Sequence, residues 1–264
     1  MGVTGKVLLI IVVLAVGLSG LYYTIGLRNA GVGGQRSLIE DVKGARAIAW
    51  IAPHPDDEIW ASALLGLASL GYGRDVYVVS LSRNATATYP GTWEDRMQDN
   101  KDIKEYLGLV GYVYAGEYLK NYPGDVEEKF YAFLDDFIEE TGVDLIVTFE
   151  NTHGANGHPA HLTVSNWITG YAREHGIKLY YVINRDPILN RAEPGHPLDP
   201  LPYTDVLDLD RYYVVKNGAN ISLWELKLGV IEIYSSSQPG CYYFMTNPNE
   251  LAKVVHKEWY RRVN

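Results

Sequence analysis

Apolar and polar positions in this chain alternate in blocks rather than evenly. From about residue 43 onwards, short runs of continuous apolar residues are followed by longer mixed stretches. Read by length and period, these predict strands over 46–52, 75–81, 112–115, 144–149 and 178–183, and helices over 58–71, 93–107, 125–140, 160–175, 221–234 and 248–261. The clearest run is AIAWIA at 47–52, whose unbroken hydrophobicity suits a strand buried on both faces. The stretch IWASALLGLASL that follows is long and apolar enough for a helix packed on a sheet. Strands separated by helices of this length predict an α/β, Rossmann-like three-layer sandwich with a mostly parallel sheet and right-handed crossovers.

The first apolar run ends abruptly in Pro53-His54-Pro55-Asp56-Asp57-Glu58. The prolines stop ladder pairing on either side of His54 and hold the backbone extended there. An imidazole and three carboxylates are thereby placed at the carboxyl end of a strand, where open α/β sheets bind their ligands. Such a set of N and O donors suits zinc or a similar divalent ion, with a spare carboxylate free to act as a base. The competing explanation is an acidic helix N-terminus that complements the helix dipole.

A second cluster about a hundred residues on weighs against that explanation. There DLIVTFENTHGANGHPAH (144–161) runs from an apolar strand through a Gly-rich loop into His158 and His161, with a helix predicted to begin near Pro159. Three residues apart on a first helical turn, the two histidines can face the same side. Alone, His-x-x-His is a weak signal. Two strand-end clusters that jointly offer His, Asp and His are a much stronger one.

With PHPDDE at 53–58 and GHPAH at 157–161, the chain resembles the PIG-L/LmbE-like zinc-dependent N-deacetylases, including N-acetylglucosaminyl-phosphatidylinositol deacetylase and diacetylchitobiose deacetylase relatives. The resemblance spans about residues 45–240 in order. GRDVYVVSLS (73–82) looks like that family's second strand, WEDRMQDNKDIKEYLG (93–108) like its Arg-containing helix, and KLGVIEIYSSSQ (227–238) like its late helix. By this resemblance the metal ligands are His54, Asp57 and His161, with the remaining position open. Asp56 is the general base, His158 stabilises the oxyanion or protonates the leaving amine, and Arg96 helps bind substrate. The implied cofactor is Zn2+ or another divalent metal, and three protein ligands with an open position is the catalytic rather than the structural form of a zinc site. Two departures stand out. Pro53 replaces the small residue that more commonly precedes the first histidine, which stiffens the loop. Ala160 stands where many members carry an aspartate that would orient His158, and Glu150 or another loop group is a candidate to replace it.

Composition narrows the rest. The 264 residues, 47% hydrophobic, allow one large α/β domain over 45–264. A net charge of −9 with no basic stripe argues against nucleic acid as a partner. No glycine fingerprint follows the first strand, so a dinucleotide is not expected. The single cysteine, Cys241, permits neither an intramolecular disulfide nor a cysteine metal site. Residues 7–27 are uncharged over about twenty positions, enough to span a bilayer. The expectation is an N-terminal membrane anchor at 1–27 followed by a linker at 28–44, with a cleaved signal peptide as the alternative. Flanking charge, Lys6 on one side against Arg28, Arg36 and Lys43 on the other, is close to balanced and leans weakly towards a cytoplasmic catalytic domain.

Two long connections, 82–92 and 184–204, leave the carboxyl ends of predicted strands and are expected to rim the mouth of the site, His196 included. Tyr89 and Trp93 are placed to contact a substrate. The resulting expectation is removal of an N-acetyl group from an N-acetylglucosamine-containing substrate, either lipid-linked or a chito-oligosaccharide. The alternatives are an amidohydrolase of another N-acyl substrate, or an inactive glycan-binding relative. Oligomeric state is left open by the sequence.

Overall fold

A computed structural model describes residues 37–82, 93–185, 201–237 and 256–264. The chain divides into Met1–Ser37 and Leu38–Asn264, and the second unit holds every described element. The expected membrane-spanning stretch 7–27 lies outside the described residues; among those described, no helix is long and apolar enough to cross a membrane.

Helix α1 (Leu38–Gly44) buries Leu38 and Val42 against the main core, so the folded unit begins inside the stretch read as a linker. Strand β1 (Ala47–Ala52) is buried at every position, as its unbroken apolar run predicts. Its alternate residues serve opposite faces: Ile48, Trp50 and Ala52 join one core, Ala47, Ala49 and Ile51 the other. That division is the signature of a sheet covered on both sides. Helix α2 covers 57–71, running from a 3-10 turn (Asp57–Ala61) through an α-turn (Ser62–Gly66) to a π-turn (Leu67–Gly71).

Then follow β2 (Asp75–Ser80), α3 (Trp93–Leu107), β3 (Gly111–Tyr114), α4 (Val126–Thr141), β4 (Val143–Phe149), α5 (Pro159–His175) and β5 (Lys178–Ile183). All lie within a few residues of their predicted positions. Asp125 starts α4 with a capping box to Glu128, and Gly142 and Gly176 end α4 and α5 in left-handed conformations. Short strands β6 (Asp205–Asp208), β7 (Tyr213–Lys216) and β8 (Ala219–Ser222) come next, then α6 (Leu223–Ser237) and β9 (Lys257–Arg262). The first core is closed by α1, α2 and residues of α3 and α6; the second by α4 and α5.

Seven strands form the main sheet in the order β3-β2-β1-β4-β5-β9-β6, while β7 and β8 pair separately. The first five are mutually parallel; β9 is antiparallel to both β5 and β6. The helix expected over 248–261 is therefore corrected, since its described end is a strand. There Glu258 and Tyr260 point into the core at a spacing of two, the period of a strand rather than a helix. The three short strands over 205–222 were likewise not foreseen.

Chain order fixes where the site must be. From β1 the sheet grows one way to β2 and β3, and later the other way from β4 to β5. The reversal lies between β1 and β4, which pair directly from Ala47 to Trp50. At such a switch point the loops leaving two neighbouring strands diverge and open a crevice. Both sequence clusters leave these two strands.

Candidate active site

The loop after β1 carries His54 to Glu58 into α2. Asp56 has φ 98°, a left-handed conformation that costs a non-glycine residue of order 1 kcal/mol and is found where a site demands it. This turn allows Asp57 to reach back: its Oδ2 accepts the His54 N–H at 2.9 Å and lies 3.4 Å from His54 Nδ1. Asp57 Oδ1 is 3.1 Å from His161 Nε2, so one carboxylate bridges the two clusters.

The loop after β4 is built around Glu150, which is buried and accepts the backbone N–H groups of Thr152, His153 and Ala155. Its contacts organise the turn itself. Gly154, at φ 58°, presents its carbonyl to His161 Nδ1 at 2.8 Å. On its other side the His161 ring stacks on Phe149, 4.2 Å between centroids. His158 begins α5 and caps it, its Nδ1 accepting the Ala160 N–H at 3.2 Å. Position 160 thus orients His158 through its main chain, which needs no side-chain carboxylate.

These partners assign the ring protons. A carbonyl facing Nδ1 places the proton of neutral His161 there and leaves the Nε2 lone pair towards Asp57. An N–H facing Nδ1 does the reverse for His158, leaving its Nε2 as an N–H donor. One donor atom from each of His54, His158 and His161 lies within 4.8 Å of the others. With Asp57 between two of them, the donor set fits a divalent ion of the zinc type. Burial works against a charge on Asp57, yet His161 and His54 hold its carboxyl well below the usual carboxylate range. Burial likewise opposes a charge on the His161 ring, but the adjacent Asp57 outweighs it and raises the imidazole. A cation seated here would replace that proton.

Arg96, expected to help bind substrate, is buried on α3. Its Nη1 lies 3.0 Å from Asp56 Oδ2 and donates to the Pro55 carbonyl at 3.0 Å, both contacts with the loop. Trp93 is the first residue of α3. Tyr89, His196, Cys241 and most of the two long connections lie outside the described residues.

No motif or spacing pointed to what lies behind the loop. Glu58 is fully buried, and its carboxylate accepts Tyr112 Oη at 3.0 Å, Tyr234 Oη and the Asp56 N–H at 3.2 Å. Tyr234 also meets Asn100 Oδ1 at 2.9 Å, and Asn100 in turn donates to Tyr114 Oη. Burial pushes the Glu58 carboxyl up to about 7, against the hydrogen bonds from the tyrosines.

Residues 49–172 match the model of the PIG-L family, described as GlcNAc-PI de-N-acetylase. No curated protein sequence matches the chain. Among solved structures, N,N'-diacetylchitobiose deacetylase from Pyrococcus horikoshii aligns at 15% identity and TM-score 0.56, covering 86% of this chain and 87% of its own. A deacetylase of teicoplanin biosynthesis aligns at 14% and 0.53, covering 83% and 99%. The 4-carboxy-2-hydroxymuconate hydratase GalB from Pseudomonas putida aligns at 14% and 0.55, covering 83% and 96%. At these identities the structures speak to the fold alone. The region from 49 to 172, which carries both clusters, is of the PIG-L (LmbE-like) deacetylase family.

Proposed function

We propose that this protein is a divalent-metal-dependent hydrolase that removes the N-acetyl group from an N-acetylglucosamine-containing substrate. The observation that carries this reading is the pair of opposed histidine settings. His161, with Nδ1 on the Gly154 carbonyl, points Nε2 at Asp57, where a cation can take the place of a proton between them, and His158 is left with an N–H to give. His54, Asp57 and His161 would then hold the metal, which when bound polarises the amide carbonyl and acidifies water. Zinc is the metal this donor set favours.

The remaining steps belong to side chains. Asp56, its carboxylate held by Arg96, removes a proton from the attacking water. His158 donates a hydrogen bond to the developing oxyanion and a proton to the departing amine. The first substrates to test are N-acetylglucosaminyl-phosphatidylinositol and diacetylchitobiose. The lipid-linked one is favoured if residues 7–27 form a membrane anchor, an assignment that alkaline carbonate extraction of membranes tests directly.

The deciding experiment strips the full-length protein of metal, restores zinc, and follows free amine released from each substrate, with Asp56→Ala alongside. Zinc-dependent release that Asp56→Ala abolishes is the expected result. Release from other N-acyl substrates alone would move the activity to a different amide. One bound zinc without any turnover would favour a glycan-binding role.

A further inference from the structure

Asp56 is held through its backbone N–H and through its carboxylate, and one side chain outside both sequence clusters touches both of these holders. Its backbone N–H, in the left-handed turn at φ 98°, donates to Glu58 Oε2 at 3.2 Å. Its carboxylate lies 3.0 Å from Arg96 Nη1. Tyr234, on α6 and 176 residues from Glu58, donates to Glu58 Oε1. Its ring also lies 5.7 Å beneath the Arg96 guanidinium. Tyr112 reaches Glu58 Oε2 from β3 at 3.0 Å. Glu58 and Tyr234 are both fully buried, so neither is set out to touch a substrate.

We infer that Glu58 and Tyr234 are positioning residues, which fix Asp56 in its left-handed turn so that its carboxylate meets the reacting water. This rests on the deacetylase reading for its kinetic consequence, but not for its structural one. Turns of this kind relax readily: released from Glu58, the Asp56 N–H is free to rotate the peptide towards right-handed backbone, which would swing the carboxylate from its station. Glu58 alone cannot prevent this, because its own rotamer is set by the two tyrosines. A carboxylate anchored at both oxygens by groups from β3 and α6 is fixed relative to the sheet, and Asp56 with it. The same device would hold for any substrate, since it determines where the base stands and not what is bound.

The test is Tyr234→Phe in the full-length protein, which removes one hydroxyl and keeps the ring under Arg96. We expect kcat for amine release to fall about 10- to 100-fold, as small misplacements of a reacting group do, with KM unchanged within about twofold. Zinc stoichiometry should stay at one per chain. Hydrogen exchange at the Asp56 amide should rise about 10-fold, a readout that needs no turnover. Tyr112→Phe, at the less buried end of the cluster, should show the same pattern more weakly and serves if Tyr234→Phe misfolds.

Unchanged kcat in Tyr234→Phe would overturn the inference while leaving the deacetylase reading intact. If the unaltered protein releases no amine from any substrate, the deacetylase reading fails instead. The positioning role is then decided by exchange at Asp56: unchanged protection in Tyr234→Phe sinks it.

Discussion

Gly154 carries two constraints at once: its carbonyl fixes the tautomer of His161, and its missing side chain makes room for that residue. A Cβ built there would stand 2.7 Å from His161 Cβ and 3.0 Å from the Leu162 nitrogen, in a backbone at φ 58° that disfavours one anyway. Gly154→Ala should therefore displace the His161 ring and weaken zinc binding about 10- to 100-fold, the range found for lost outer partners of a ligand, by calorimetric titration. His158 is expected to behave oppositely. His158→Ala should keep one zinc per chain and lose about 10²- to 10⁴-fold in kcat, as removal of a general acid does. Loss of zinc instead would make His158 a ligand, which its distance to His54 and His161 alone would allow. These residues were legible in the sequence because they are contiguous: PHPDDE directly follows one buried strand, and GHPAH follows another after a short Gly-containing loop. Which nitrogen of each ring faces the site was not legible. That depends on the Gly154 carbonyl and the Ala160 N–H, and main-chain groups leave no mark on composition.

Glu258 shows the same limit one level up, where an element expected as a helix is a strand. KEWYRR contains no run of β-branched residues, and its charged ends fit an amphipathic helix pattern; only the contacts of Glu258 and Tyr260 explain the outcome. Once inside, Glu258 accepts Lys227 Nζ from α6 at 2.6 Å, Tyr260 Oη at 2.5 Å, and the Ala63 and Leu64 N–H groups of α2 at 3.3 Å. A single carboxylate thus ties β9 to the helix that follows the first cluster and to the helix that carries Tyr234. By contrast β1, β4 and the helices between them were readable, since continuous apolar runs with caps and glycine stops are local signals. Lys227→Met tests the clamp. It leaves a buried carboxylate without its cation and should lower stability by about 3–5 kcal/mol in urea unfolding at pH 7. Adding Glu258→Gln, which removes the orphaned charge and keeps an acceptor for the α2 N–H groups, should restore part of that loss. A wild-type midpoint for Lys227→Met alone would mean that the pair contributes nothing net.

At the scale of the molecule, the fold positions a crevice without dictating its chemistry. The same architecture at 14% identity accompanies a hydratase as well as deacetylases, so reaction type must come from the side chains at the switch point. Those side chains also join the two halves of the sheet. His54 and Asp57 hang from β1, which leads outward to β2 and β3, whereas His161 belongs to the β4–β5 half. An ion held by all three, as proposed, would tie chain segments about a hundred residues apart, and it would bind the folded state alone because the unfolded chain cannot bring them together. At a hundredfold excess over Kd such binding adds about 2.7 kcal/mol. For a folded unit of this size each kcal/mol moves Tm by about 2–4 °C, so chelation should lower Tm by roughly 5–10 °C. Asp57→Ala should no longer respond to zinc and should melt below the chelated protein, since it also loses the contacts of Asp57 with His54 and His161, whereas Asp56→Ala, which leaves the ligands in place, should keep the full shift while losing turnover. Scanning calorimetry of the three proteins with and without zinc separates these outcomes. A melting temperature indifferent to zinc in the unaltered protein would remove the metal, and with it the mechanism built on the opposed histidines.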